Sequence, residues 1–105
     1  MKNMASKHPI HKWSIPQLQK HIRNESQDTA KVVFTDHALA QMKKRTITQF
    51  MALETLRNGK INIPPEIDFG SDLKCRMEYS VTGKEIMVVV ALNDDDPNLV
   101  LITAI

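Results

Sequence analysis

Residues 73 to 92 read LKCRMEYSVTGKEIMVVVAL, and this stretch decides the fold class. Leu73, Cys75, Met77, Tyr79 and Val81 alternate with Lys74, Arg76, Glu78, Ser80 and Thr82. A period of two marks a strand with one face buried and one face wet. Thr82 and Gly83 supply a tight turn, after which Ile86 to Leu92 is unbroken in apolar residues. Such a run predicts a central strand, Glu85 to Leu92, covered on both faces. Asn93 to Pro97 makes a second turn, and Asn98 to Ile105 returns as a third strand. An antiparallel meander is expected here.

Upstream the period changes. Lys60 to Ile63 reads as a brief strand stopped by Pro64 and Pro65, and Glu66 to Asp72, with Phe69 and Gly70, as an acidic connection. Gln49 to Arg57 is a helix, opened by Thr48 as N-cap and closed by Asn58 and Gly59. The β-branched run Thr46, Ile47, Thr48 separates it from an earlier helix, Asp36 to Arg45. That helix is capped by Thr35, follows a short extended run Val32 to Phe34, and carries Ala38, Leu39 and Met42 as one apolar stripe. Glu25 to Lys31 is a polar link. Ser14 with Gln17 forms a capping box, Pro16 suits a first turn, and a helix over Ile15 to Asn24 follows, with Leu18, His21 and Ile22 on its apolar side. His21 is expected to be a half-buried packing residue. Residues 1 to 12 read as a flexible basic leader, and His8 and His11, split by Pro9, have no carboxylate or cysteine cluster with which to hold a metal. The fold class is α+β: N-terminal helices packed on a C-terminal antiparallel β-sheet, in one domain over 13–105.

Composition agrees. The 105 residues are 42% hydrophobic and 25% charged, a globular balance. No apolar run approaches the ~20 residues of a membrane span, and Met1 to Lys12 lacks the apolar core of a secretory signal. A cytoplasmic location is expected. One cysteine, Cys75, can neither staple the fold nor build a cysteine-rich metal site, and it reads as an inert core thiol. The net charge of +2 conceals an asymmetry. Through residue 60, 11 Lys and Arg face 4 Asp and Glu, a balance of +7; beyond it 3 face 8, a balance of −5. All four histidines lie in the basic part, which fits an anionic partner such as nucleic acid.

Chemistry concentrates on the helix after Thr35. At roughly 100° per residue, Gln41 and Lys44 both fall within about 40° of His37, and Arg45 lies about 80° from it. A histidine there shares a face with a long cation.

In order, T-x-H-A-x-x-x-M-x-x-R (Thr35 to Arg45), Ile47-Thr48 leading to Asn58-Gly59, R-x-E-Y (Arg76 to Tyr79), V-V-V-A (Val88 to Ala91) and L-I-T-A-I (Leu101 to Ile105) form a pattern. It resembles a small bacterial domain family of unknown function grouped with the barnase, EndoU, colicin and RelE type ribonuclease fold. The resemblance covers 32–105. It implies a metal-independent ribonuclease of toxin type, needing no cofactor and restrained by a separate antitoxin or inhibitor protein. Carried over position by position, the helix histidine matches His37 and the helix arginine Arg45. The strand cation matches Arg76, the aromatic hydroxyl Tyr79 and the last-strand threonine Thr103. A second helix arginine is missing: Gln41 and Met42 stand in its place, leaving Lys43 and Lys44 as substitute phosphate contacts, with Gln41 beside them.

Metal-free RNA cleavage needs a base for the 2′-hydroxyl proton, cations for the charge that builds on phosphorus, and an acid for the leaving oxygen. His37 suits the base or acid role, because histidine titrates near working pH. Arg45, Lys44 and Arg76 are the expected clamps, and Tyr79 and Thr103 the hydrogen-bond donors. The alternative is a non-catalytic module that holds protein or nucleic acid on the same fold. The oligomeric state is open.

Overall fold

A computed structural model describes residues 10–67 and 72–105. The chain runs from a single 3-10 turn (Ile10–Lys12) into α1 (Ile15–Glu25), a second 3-10 turn (Thr29–Lys31), β1 (Val32–Phe34), α2 (Asp36–Arg45) and α3 (Gln49–Asn58). The strands β2 (Lys60–Ile61), β3 (Glu66–Ile67), β4 (Leu73–Val81), β5 (Lys84–Asn93) and β6 (Asp96–Ala104) follow. The expected N-caps are all present: Ser14 accepts from the Gln17 amide, Thr35 from Ala38 and Thr48 from Met51.

The sheet order is β1-β6-β5-β4-β2, with β3 also on β4. β4, β5 and β6 are the expected meander, but the sheet is mixed, because β1 joins β6 in parallel with Phe34 opposite Ile102. A three-residue run carries no signal of strand direction, and the long connection a parallel neighbour requires runs from β1 through α2, α3 and the strands β2 to β5 before β6 returns beside it. The acidic connection also departs from expectation, since Glu66 and Ile67 pair with Lys74 and Leu73. β2 and β3 thus succeed each other along one edge of β4, interrupted where Pro64 and Pro65 have no amide to donate.

All three helices cover one face of the sheet. Leu18 and Ile22 of α1, Ala38 and Met42 of α2, and Ala52 and Leu56 of α3 share one core with Cys75, Met77, Ile86, Val88, Val90, Leu92, Val100 and Ile102. The core reaches back to Ile10, which is fully buried, so the folded domain begins before Trp13 and the expected leader shortens accordingly; His8, like Phe69 and Gly70, lies outside the described residues. Two burial expectations change. β5 is not covered on both faces, for Met87 is 46% exposed beneath a face that no described helix covers. Leu39 is likewise exposed, because the buried stripe of α2 centres on Ala38 and Met42, and Leu39 turns past its far side. Unbroken apolar sequence states that a strand is buried on one side, and the helix layer decides whether it is buried on two.

Gly59 ends α3 with φ −76° and ψ −179°, an extended backbone open to any residue. Close packing is what demands glycine: a Cβ would collide with the Thr55 carbonyl oxygen and sit 2.8 Å from that of Glu78. The β4–β5 turn has positive φ at both Thr82 (50°) and Gly83 (81°), the type I′ geometry that matches strand twist. Thr82 is β-branched and strained there.

Candidate functional site

The end of β6 and the length of α2 form one unit. β1 stops opposite Ile102, so beyond that point β6 has no strand neighbour on its outer side. The helix takes over. Thr35 donates both its amide (3.1 Å) and its hydroxyl (2.8 Å) to the Ile102 carbonyl. Two turns on, Gln41 Oε1 accepts the Ile105 amide at 2.8 Å, and Arg45 Nη1 donates to the Ile105 carbonyl at 2.6 Å. Lys84 Nζ then donates to the Arg45 carbonyl at 2.6 Å, tying the open C-terminal end of α2 to the first residue of β5. Side chains thereby satisfy backbone groups that a sheet edge leaves unpaired. Gln41 and Arg45, expected to meet RNA, are the residues that complete the sheet.

His37 lies one turn before Gln41 on the same face of α2, along the flank that runs beside residues 102 to 105. Its imidazole is exposed and makes no hydrogen bond or ion pair among the described residues. The other described histidines are engaged: His11 Nε2 lies 3.8 Å from Asp94, and His21 Nε2 donates to the Pro97 carbonyl at 2.5 Å. His21 is half-buried, as expected. Lys44 is exposed about 20° from His37 around the helix, whereas Lys43 projects about 120° away. One helix face therefore joins His37 to Lys44 and not to Lys43.

The β4 candidates stand apart from this helix. Arg76 alternates to the face opposite the helices, where its Nε bonds Glu78 Oε2 at 2.9 Å. Glu78 also receives the Asn62 amide at 3.1 Å. Tyr79 belongs by alternation to the helix side, yet it is 38% exposed. It lines a cavity of about 200 Å³ with Asn62, Glu78 and Glu85. Thr103 is on the strand that α2 flanks. It is the extra residue of a bulge, since Val90 opposes Ile102 and Val89 opposes Ala104, and its hydroxyl donates to the Val89 carbonyl at 3.2 Å. The fold thus brings His37, Gln41, Lys44, Arg45 and Thr103 to one corner and leaves Arg76 and Tyr79 on β4, two strands from β6.

Cys75 is fully buried, and desolvation pushes its thiol from an ordinary 9.0 up to about 12. An undissociated thiol is a poor nucleophile, so Cys75 is inert.

Sequence reading missed how the arginines of α1 and α3 are used. Arg23 donates through Nε to the Gly59 carbonyl (2.9 Å) and through Nη2 to those of Asn58 (3.1 Å) and Gly59 (2.7 Å). Arg57 Nε in turn donates to the Ser26 carbonyl at 2.8 Å. Each helix ends on an arginine from the other. The available signal was their place in the last turns of α1 and α3, where cations meet unpaired carbonyls.

These features define a small α+β domain, with helices layered on one face of a mixed sheet and an exposed histidine where the second helix meets the last strand. Residues 34–105 match the family described as Domain of unknown function (DUF4258), more than half of the chain, and the protein belongs to that family. No curated protein and no solved structure matches it. No helix of the described residues is long and apolar enough to cross a membrane.

Proposed function

We propose that this protein is a metal-independent, ribonuclease-like domain of toxin type that acts on RNA at the α2–β6 corner. The observation that carries this reading is the free, exposed imidazole of His37, alone among the described histidines in having no structural partner. In the proposed reaction His37 takes the proton of a ribose 2′-hydroxyl, and the freed oxygen attacks the adjacent phosphorus. The bond to the 5′-oxygen breaks, and that oxygen takes its proton from water. Lys44, exposed on the same helix face, offsets the charge that grows on the phosphate. Arg45 acts as a positioning residue, holding α2 against Ile105. A separate inhibitor protein covering the basic face of α2 would keep such an activity in check.

A second reading, a non-catalytic module that binds RNA or protein, is favoured by one observation. The two arginines expected at the phosphate, Arg45 and Arg76, are occupied by the Ile105 carbonyl and by Glu78. Induced expression in a bacterial host, with total RNA separated on a gel, decides between the two. Growth arrest with RNA fragmentation that His37→Ala abolishes, at equal expression and unchanged circular dichroism, supports the nuclease. Fragmentation retained in His37→Ala rejects this site, and intact RNA with normal growth moves the assignment to the binding module.

A further inference from the structure

The family match covers residues 34–105, and α1 with the turn before it lies outside that match. That segment carries a groove of its own. Trp13, Gln17, Lys20, His21 and Asn24 line a shallow depression of about 340 Å³ that is open to solvent. The spacing 17, 20/21, 24 places four of them on one flank of α1, and Trp13 stands just before its N-cap.

We propose that this groove holds a nucleobase of single-stranded RNA, stacked on Trp13. Trp13 is half-buried against the core and packs edge-to-face with His21, ring centroids 5.0 Å apart at 68°. His21 is itself anchored through Nε2 to the Pro97 carbonyl. The indole is therefore a fixed platform, and fixed aromatic platforms are how proteins bind unpaired bases. Polar groups around it are available. Gln17 spends its Oε1 on the Ser14 amide and keeps its amide donors, while Asn24 is exposed and makes no side-chain bond among the described residues. Amides of this kind can meet the edge of a base. Lys20 is exposed; among the described residues it has no carboxylate partner and no acidic residue lines the groove, which suits the phosphate that follows a base. The inference rests on the proposed RNA reading only for the class of partner, and it does not use His37.

Trp13 is the only tryptophan of the chain, so its emission reports directly on the groove. Full-length protein is titrated with a short single-stranded oligoadenylate, with adenosine monophosphate, and with a duplex of equal length. Saturable quenching by the single strand is expected, with the mononucleotide and the duplex binding roughly tenfold or more weaker. Lys20→Ala with Asn24→Ala, both on the surface, should weaken the single strand by roughly tenfold and flatten its salt dependence. Trp13→Phe, chosen because it keeps an aromatic ring in the core contact, should also weaken it, as read by anisotropy of a labelled strand. Because emission comes from Trp13 alone, the quenching reads this groove and not the proposed cleavage site at His37, which separates the two. Unchanged emission up to millimolar single strand, quenching that survives the double variant, or equal affinity for the mononucleotide would each overturn the proposal.

Discussion

The α1–α3 corner and the exposed face of α2 are both rich in positive charge, and they spend it differently. At the first, Arg23 and Arg57 are consumed by backbone carbonyls of the opposite helix. At the second, Lys43 and Lys44 stand exposed and make no hydrogen bond or ion pair among the described residues, while Arg45, one residue on, is drawn in to Ile105. The planar guanidinium reaches two acceptors at once and is weakly hydrated, so it serves helix ends and chain ends; the ammonium keeps its water. The +7 balance of the first 60 residues is therefore not a uniform surface for a polyanion. A large part of it is architecture.

If that contrast is right, Arg23 should matter most. Arg23→Met removes three charged donors from the end of α3 and leaves the Gly59 carbonyl short of a partner. A loss of about 2–3 kcal/mol is expected from hydrogen bonds to a charged group. Urea denaturation measures it, and a loss under ~0.5 kcal/mol would mean that water replaces the cap. Arg45→Met is expected to cost less, about 1–2 kcal/mol, since Gln41 keeps its hold on the Ile105 amide. Should it instead abolish RNA cleavage at unchanged stability, the guanidinium belongs to the reaction and not to the scaffold.

The core beneath α3 gives a test that depends on pH. With the Cys75 thiol raised to about 12, the folded chain holds its proton where the unfolded chain, at 9.0, releases it. Stability is therefore fully present below pH 9 and declines as pH rises from there toward 12. Cys75→Ala should flatten that decline. It is checked by denaturation series at neutral and alkaline pH, and an equal alkaline decline in both proteins would place the effect elsewhere. Smallest of all should be Lys44→Ala, within about 0.5 kcal/mol of the parent in stability. A fall in RNA affinity with no change in melting temperature would confirm that the lysine charge is spent outward, as the arginine charge is not.

Much of the fold was legible in advance. The bounds of α2 match expectation to the residue, and the ends of α1 and α3 lie one residue further on. The reason is local: capping residues act within one turn, and a period of 3.6 or 2 is written in neighbouring side chains. The candidate site was legible only in part. His37 and Lys44 share a face because helix geometry alone puts them there. Arg76 was grouped with them by motif order, and motif order says nothing about which side of a sheet a residue occupies. Tyr79 was grouped by the same route; alternation assigns it a face but not its 38% exposure.

By itself, then, the sequence determined the helices and the main strands, the helix N-caps, the α+β class and the place of His37 on its helix. Tertiary structure decided the rest: that β1 lies parallel to β6, that one sheet face stays open, and that Gln41, Arg45, Arg23 and Arg57 serve backbone carbonyls and amides. The physical reason is range. A cap or a period is settled within a few residues, whereas a long polar side chain takes whichever unpaired group the packing of distant elements brings within reach.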